Sequence, residues 1–404
     1  MPSLGGFGEN VEPDVPFSLG PRVRESAAPD PAEEITELAY RIARETAALG
    51  PAGWRNLTAV FALTVEAEVA HLLFEDAHGA TVRALPNADI VDAVREHRKL
   101  SAGYGDGPWW RLVVTMSSTG ELDVDHDYGD EPFPDDQLFA PRAYLADLEV
   151  YPRRRLPVWL AAYLHHGGRQ LRSPGAAAQR ARLDVVAEVR ATVSEFDFPA
   201  YPIMRARWAV IAAAFVAAGS ARGPRMLPAL GWFEGGSRSG STLYEVPGGR
   251  AVLSGGVWNA MALDAAYNED AELPALYAGA PEWVADPVVN TRAGHGLLSF
   301  CYWWEDGAWY RGESPAADHL AEAVPGIWTA DTAAQVVAGL LDAEASDRQR
   351  AAARALVDAA ERGVATREAI VEIFGDDGTF DVDAAMYQLT LAGVTEAGAG
   401  RAAL

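Results

Sequence analysis

The residues best placed to do chemistry lie between Glu121 and Tyr128. There Glu121, Asp123, Asp125 and Asp127 alternate with Leu122, Val124, His126 and Tyr128. Successive side chains of a strand point to opposite faces, so the four carboxylates share one face. No cation is interleaved, and like charges at that spacing repel. A strand tolerates such a row in solvent or opposite a basic surface. Three chemistries suit it: a solvated face, a strip that meets a basic protein partner, or the start of a calcium loop. The calcium pattern fails at two positions. Tyr128 stands where the turn glycine belongs, and Pro134 where the bidentate glutamate belongs. No metal is therefore assigned. The acids continue past the strand as Asp130, Glu131, Asp135 and Asp136.

Other reactive types are scattered. Cys301, the single cysteine, sits in the apolar run Phe300 to Trp304 and reads as a buried thiol, with a nucleophile as the alternative. His295 lies six residues away. Gly235 to Ser241 is rich in glycine and serine, but it lacks the P-loop lysine and the dinucleotide-binding spacing. It reads as a flexible loop. His71 and His78 bracket Glu75 at the wrong spacing for a zinc helix, and His165 and His166 are adjacent, so they cannot share one helical site. No cofactor is expected. Tryptophans pair at Trp109 and Trp110, and cluster again at Trp303, Trp304 and Trp309. Most suit a core. Trp110 is the candidate interface anchor, because tryptophan is enriched at such positions.

Charge narrows the partner class. The chain of 404 residues carries a net charge of −24, with Lys99 its single lysine. Phosphate binding needs a basic surface, so a nucleic-acid partner is not expected. A basic protein partner, or simple solubility, fits better. Asp147 and Glu149 extend the acidic stretch begun at Glu121, and Arg142 alone opposes it. The sign then reverses through Arg153, Arg154, Arg155, Arg169, Arg172, Arg180 and Arg182. No apolar run of membrane-spanning length and no secretory leader is visible. One cysteine excludes an intrachain disulfide. Together these point to a cytoplasmic protein without a membrane partner.

The elements that must position these residues follow from periodicity. Residues 31–49 read as an amphipathic helix capped by Asp30. Strands follow at 57–65, 69–74 and 81–85, then a helix ending near Leu100. Trp109 to Met116 and Glu121 to Tyr128 read as a hairpin turned at Ser117 to Gly120. Helices are expected at 141–148, 156–166, 179–196, 203–218, 331–343, 346–362 and 367–374, with strand-like runs at 242–259 and 296–311. The fold class is α+β. Two domains are expected, each with a mostly antiparallel sheet flanked by helices, plus a helical C-terminal tail. The boundaries are a flexible arm over 1–29, a first domain over 30–166, a linker over 167–178 and a second domain over 179–404.

The stretch from Ile35 to Leu164 resembles the YezG-like immunity proteins, which neutralise toxin domains of bacterial polymorphic toxins, nucleases among them. An amphipathic helix leads into Gly53 and Trp54. A helix ends at His97 to Leu100, and a strand follows Trp109 and Trp110. Ser118 to Tyr128 is similar to the family's hairpin, a small residue and glycine followed by alternating valine, aspartate and tyrosine. Tyr151 to Arg153 and Pro157 to Trp159 look like its closing segment. Residues 132–140 are longer and more acidic than the family's, and the second half carries no such resemblance. The resemblance implies an immunity protein that binds and blocks a cognate toxin domain with a basic active-site groove. Asp123, Asp125, Asp127, Asp130 and Glu131 would be its contact strip, with Asp135 and Asp136 on the adjoining loop and Trp110 as anchor. Two alternatives stay open: an enzyme housed in the second domain, and a scaffold or regulator without catalysis.

Overall fold

The computed structural model describes residues 31–341 and 344–396. The expected arm over 1–29, and the Asp30 cap, lie outside the described residues. The chain forms two compact units. One holds the residues up to Phe61 together with Ala70–Asp125, and the other holds Ala62–Val69 together with His126 onward. The architecture is α+β, with two antiparallel sheets and a run of C-terminal helices.

The first sheet is built from β1 (Trp54–Leu63), β2 (Glu68–Asp76), β3 (Thr81–Ala84), β4 (Arg111–Ser117) and β5 (Leu122–Asp127), in the order β3-β2-β1-β4-β5. Helices α1 (Pro31–Ala47) and α2 (Ala88–Ser101) pack against each other. Ile42 on α1 is fully buried, as are Ile90 and Val94 on α2. The start of α2 is set by Asn87, whose side-chain oxygen accepts from the Ile90 amide at 3.0 Å. Leu112 and Val114, two residues apart on β4, are both fully buried. Burying each such side chain contributes about 1.5–3 kcal/mol. Trp109 completes this core. Its indole donates to Nδ1 of the buried His97 at 3.1 Å, and its carbonyl accepts from Arg98 Nε at 3.0 Å.

The second unit opens with α3 (Pro141–Val150), α4 (Val158–His165) and α5 (Pro174–Val186). A second sheet then forms from β6 (Thr192–Ser194), β7 (Arg225–Leu227), β8 (Leu230–Glu234), β9 (Gly240–Val246), β10 (Arg250–Gly256), β11 (Phe300–Glu305) and β12 (Ala308–Arg311). Its order is β6-β12-β11-β10-β9-β8-β7. The central strands are buried on both faces, so they carry continuous apolar runs. Ala251, Leu253, Phe300 and Tyr302 face one core. Val252, Cys301 and Trp303, one residue out of phase, face the other. The first core is filled by α6 (Tyr201–Ala217), which is apolar on most sides apart from Arg205 and Arg207 because the helices α8 (Ala330–Ala338), α9 (Asp347–Glu361) and α11 (Val382–Leu391) pack on it. The helix α10 (Arg367–Phe374) lies between α9 and α11 in sequence and packs on both.

Two expected elements differ. The helix expected over 179–196 starts at Pro174 and stops at Val186. Glu188 then takes a left-handed φ of 54°, and Thr192 to Ser194 pair with β12 instead. The linker expected over 167–178 forms turns over 167–170, with buried Gln170 clamped to the Leu298 backbone in both directions at 2.7 and 3.0 Å, and from Pro174 onward it is α5. The helix α7 (Met261–Asn268), the hairpin of β7 with β8, and α11 lie outside the elements expected from periodicity.

Candidate functional site

In the first unit, β5 lies at the outer edge of its sheet. Glu121, Asp123 and Asp125 are exposed, and Leu122 and Val124 between them are half-buried. The turn that launches the strand is fixed by short-range bonds. The Ser117 amide donates to the Glu121 carbonyl at 2.9 Å, and the Glu121 amide donates to Ser117 Oγ at 3.1 Å. Gly120 sits at a φ of 96°, a conformation that favours glycine. The Ser118 amide reaches the Arg55 carbonyl of β1 at 2.7 Å, so the hairpin cannot swing freely. Among the described residues no cation forms an ion pair with Glu121, Asp123 or Asp125.

A groove of 330 Å³ runs beside these acids. Asn56 and Thr58 of β1, Thr115 of β4, and Glu121 and Asp123 line it. Two carboxylates flanked by hydroxyls and an amide offer acceptors at several angles, the complement of a guanidinium or ammonium group. The cost of keeping the row is small. Charges two residues apart on a strand are about 7 Å apart, and repel by about 0.6 kcal/mol in water and about 0.25 kcal/mol at physiological salt. The row therefore persists in solvent without a partner and remains available to one.

The acids past His126 belong to the second unit. Asp127 is half-buried and accepts from the Gly129 amide at 2.8 Å. Asp130, Glu131, Asp135 and Asp136 are exposed. Glu131 is paired within the chain to Arg238, whose guanidinium stands 5.9 Å from the centre of the Trp258 ring. Such an exposed pair is worth at most about 1 kcal/mol. The expected strip thus divides, Asp123 and Asp125 in one unit and Asp127, Asp130, Glu131, Asp135 and Asp136 in the other.

Trp110 corrects an expectation. It is 1 % exposed, with the Arg98 guanidinium 5.8 Å from its ring centre, and so presents no surface to a partner. It is a core residue of the first unit. The Gly235 to Ser241 segment is a second correction. Ser239, Gly240 and Ser241 are buried. Ser239 Oγ accepts from the Trp258 amide at 2.9 Å, and Ser241 Oγ donates to the Ala323 carbonyl at 2.6 Å. The small residues serve close approach: a Cβ on Gly255 would stand 2.3 Å from the Gly240 carbonyl oxygen.

Cys301 is fully enclosed, and burial pushes its thiol well above the ordinary range. A thiol held in the protonated form is a poor nucleophile. Ser314 brackets its backbone, accepting from the Cys301 amide and donating to the Cys301 carbonyl, both at 2.9 Å. His295 is exposed on a short turn. The basic segment is partly neutralised within the chain. Arg155 pairs with Asp264 and with Glu269, and Arg180 pairs with Asp184. Asp264 is held below the usual carboxylate range chiefly by its hydrogen bond from Arg155.

Among the described residues no three His, Cys, Asp or Glu side chains gather as metal ligands, and no helix is long and apolar enough to cross a membrane. Asn56, Thr58 and Thr115 were absent from the sequence expectations. Uncharged residues of two strands that are not adjacent in sequence carry no local signal that they share a groove. No protein-family model matches the chain, and no curated protein does.

Proposed function

We propose that this chain is a cytoplasmic immunity protein that binds a cognate polymorphic toxin domain through the acidic face of β5. One observation carries the proposal. Glu121, Asp123 and Asp125 stand exposed, without an ion-pair partner among the described residues, beside a groove lined by Asn56, Thr58, Thr115 and Ser117 as well as by Leu57, Met116 and Leu122. A toxin domain with a basic active-site groove is the complement, and nuclease toxins are one such class. Lysines or arginines of the toxin would pair with the row, with one side chain entering the groove. Occlusion follows when the same basic residues are those that hold the toxin's substrate. The YezG-like pattern of the hairpin supports the same reading.

A second reading rests on the place of β5 at the sheet edge. Edge strands expose unpaired backbone groups, and charge along them prevents pairing between copies. Under that reading the acids keep the protein monomeric and meet no partner. Co-expression of the full chain with a polymorphic toxin domain that carries a basic active-site groove separates the two. Rescue of growth and co-purification support the immunity role. Toxicity unchanged by the chain, with nothing co-purified, contradicts it.

A further inference from the structure

We infer that the second unit holds a binding pocket for a small oxyanion, a phosphate or carboxylate group, between the turn Arg169–Arg172 and the segment Glu272–Ala278. This is independent of the acidic strand and of the toxin-binding proposal. The pocket measures 370 Å³, the size of a small metabolite, and is lined by Arg169, Arg172 and Arg180 against one carboxylate, Glu272. In a chain of net charge −24, a concavity with that balance runs against the prevailing sign.

The arginines are held in place by neutral groups. Arg169 stacks on the Tyr267 ring, its guanidinium carbon 4.8 Å from the ring centre, and reaches the Ala266 carbonyl at 3.5 Å. Arg172 donates to the Arg169 and Leu171 carbonyls, at 2.7 and 3.0 Å. Neither forms an ion pair with a described carboxylate, whereas Arg180 is satisfied by Asp184 at 2.8 Å. Gln170, between the two free arginines, is 7 % exposed and bonded at both ends of its amide to Leu298. The turn is thereby pinned to the sheet, and the two guanidinium groups are ordered before any ligand arrives. Guanidinium presents paired donors that match the two oxygens of a phosphate or carboxylate. Preorganisation lowers the entropic cost of binding.

Tyr277 forms part of the pocket wall, with its hydroxyl enclosed and without a hydrogen-bond partner among the described residues. Burial pushes its ionisation far above the ordinary range, so it stays protonated.

The test is isothermal titration of the purified full chain at constant ionic strength, with inorganic phosphate and pyrophosphate in one arm and succinate and citrate in the other. Saturable binding is expected in at least one arm, and the responding arm identifies the anionic group. Arg172→Gln and Arg169→Gln should each weaken it by about 10-fold or more. Arg182→Gln, an exposed arginine of α5 outside the pocket, should bind as the unaltered chain does. Circular dichroism of each variant confirms that the second unit remains folded. Absence of saturable binding in both arms up to about 10 mM overturns the site. Equal affinity in Arg172→Gln and Arg182→Gln overturns it as well.

Discussion

Replacing Glu121, Asp123 and Asp125 together by Gln, Asn and Asn removes three charges from the β5 face and leaves its shape nearly unchanged. The two neighbouring pairs each repel by about 0.25 kcal/mol at physiological salt, and the outer pair, near 13 Å, adds less than about 0.1 kcal/mol. The native state therefore gains at most about 0.5 kcal/mol, and less where the unfolded chain keeps the same acids close. Hydrogen exchange of peptides from β4 and β5, read by mass spectrometry, reports the local opening free energy. The gain should shrink to nothing at about 1 M salt, where screening acts over about 3 Å. A loss above about 1 kcal/mol would show that the carboxylates hold the hairpin together through bonds of their own. A gain of several kcal/mol would show that the row is desolvated. Either result refutes the description of these acids as a solvated face awaiting a partner. The same triple variant tests the edge-strand reading: light scattering should show an unchanged molecular mass if the row serves a partner, and self-association if it serves solubility.

Arg207 pairs with Glu361 at 2.7 Å and donates to the Ile327 and Trp328 carbonyls, with the two side chains 12 % and 20 % exposed. Glu361→Gln, which removes the counter-charge of that guanidinium, should lower the stability of the second unit by about 2–3 kcal/mol in urea unfolding. Gly255→Ala brings a methyl group 2.3 Å from the Gly240 carbonyl and 2.6 Å from Phe300, so β9 and β10 must separate. It should lower the thermal midpoint by an amount matching about 3 kcal/mol. Cys301 should resist thiol reagents until the chain unfolds. Its folded thiol is raised above the unfolded value of about 8.5, so its contribution is complete below that pH and is lost as pH rises, by about 1.4 kcal/mol per unit. Cys301→Ala should flatten stability against pH between about 8.5 and 10, where tyrosine ionisation begins to matter.

Much of the first unit was legible in its residues. Alternation over β4 and β5, with Ser117 and Gly120 between them, specifies a hairpin and the face its acids occupy. Asn87 or Asp89 before an apolar stripe reads as the start of α2, and the structure selects Asn87 as its cap. The second unit hid more. In α11 the buried stripe is Val382, Ala385 and Leu389, and alanine signals burial weakly. β7 is three residues between prolines, too short for a period to show. Gly231 beside Trp208, and Gly240 beside Gly255, are small because neighbours approach from distant parts of the chain. A local reading takes the same glycines for flexibility. The pairing of Glu131 with Arg238, 107 residues apart, had no local trace either. The acidic row was visible because it is contiguous. The polar groove beside it, and the arginine pocket closed by Glu272 to Ala278, depend on chain crossings that periodicity does not encode.

Binding of the full chain to the toxin domain it is proposed to neutralise, measured by surface plasmon resonance between about 50 and 500 mM salt, tests the acidic contact most directly. Exposed charge pairs are worth about 0.2–1 kcal/mol each, and reversal replaces attraction by repulsion, so Asp123→Lys with Asp125→Lys should cost about 2 kcal/mol, near 30-fold in Kd. The association rate should fall with salt for the unaltered chain, and lose that dependence in the variant. An affinity and salt slope unchanged by the double reversal would place the contact elsewhere on the molecule.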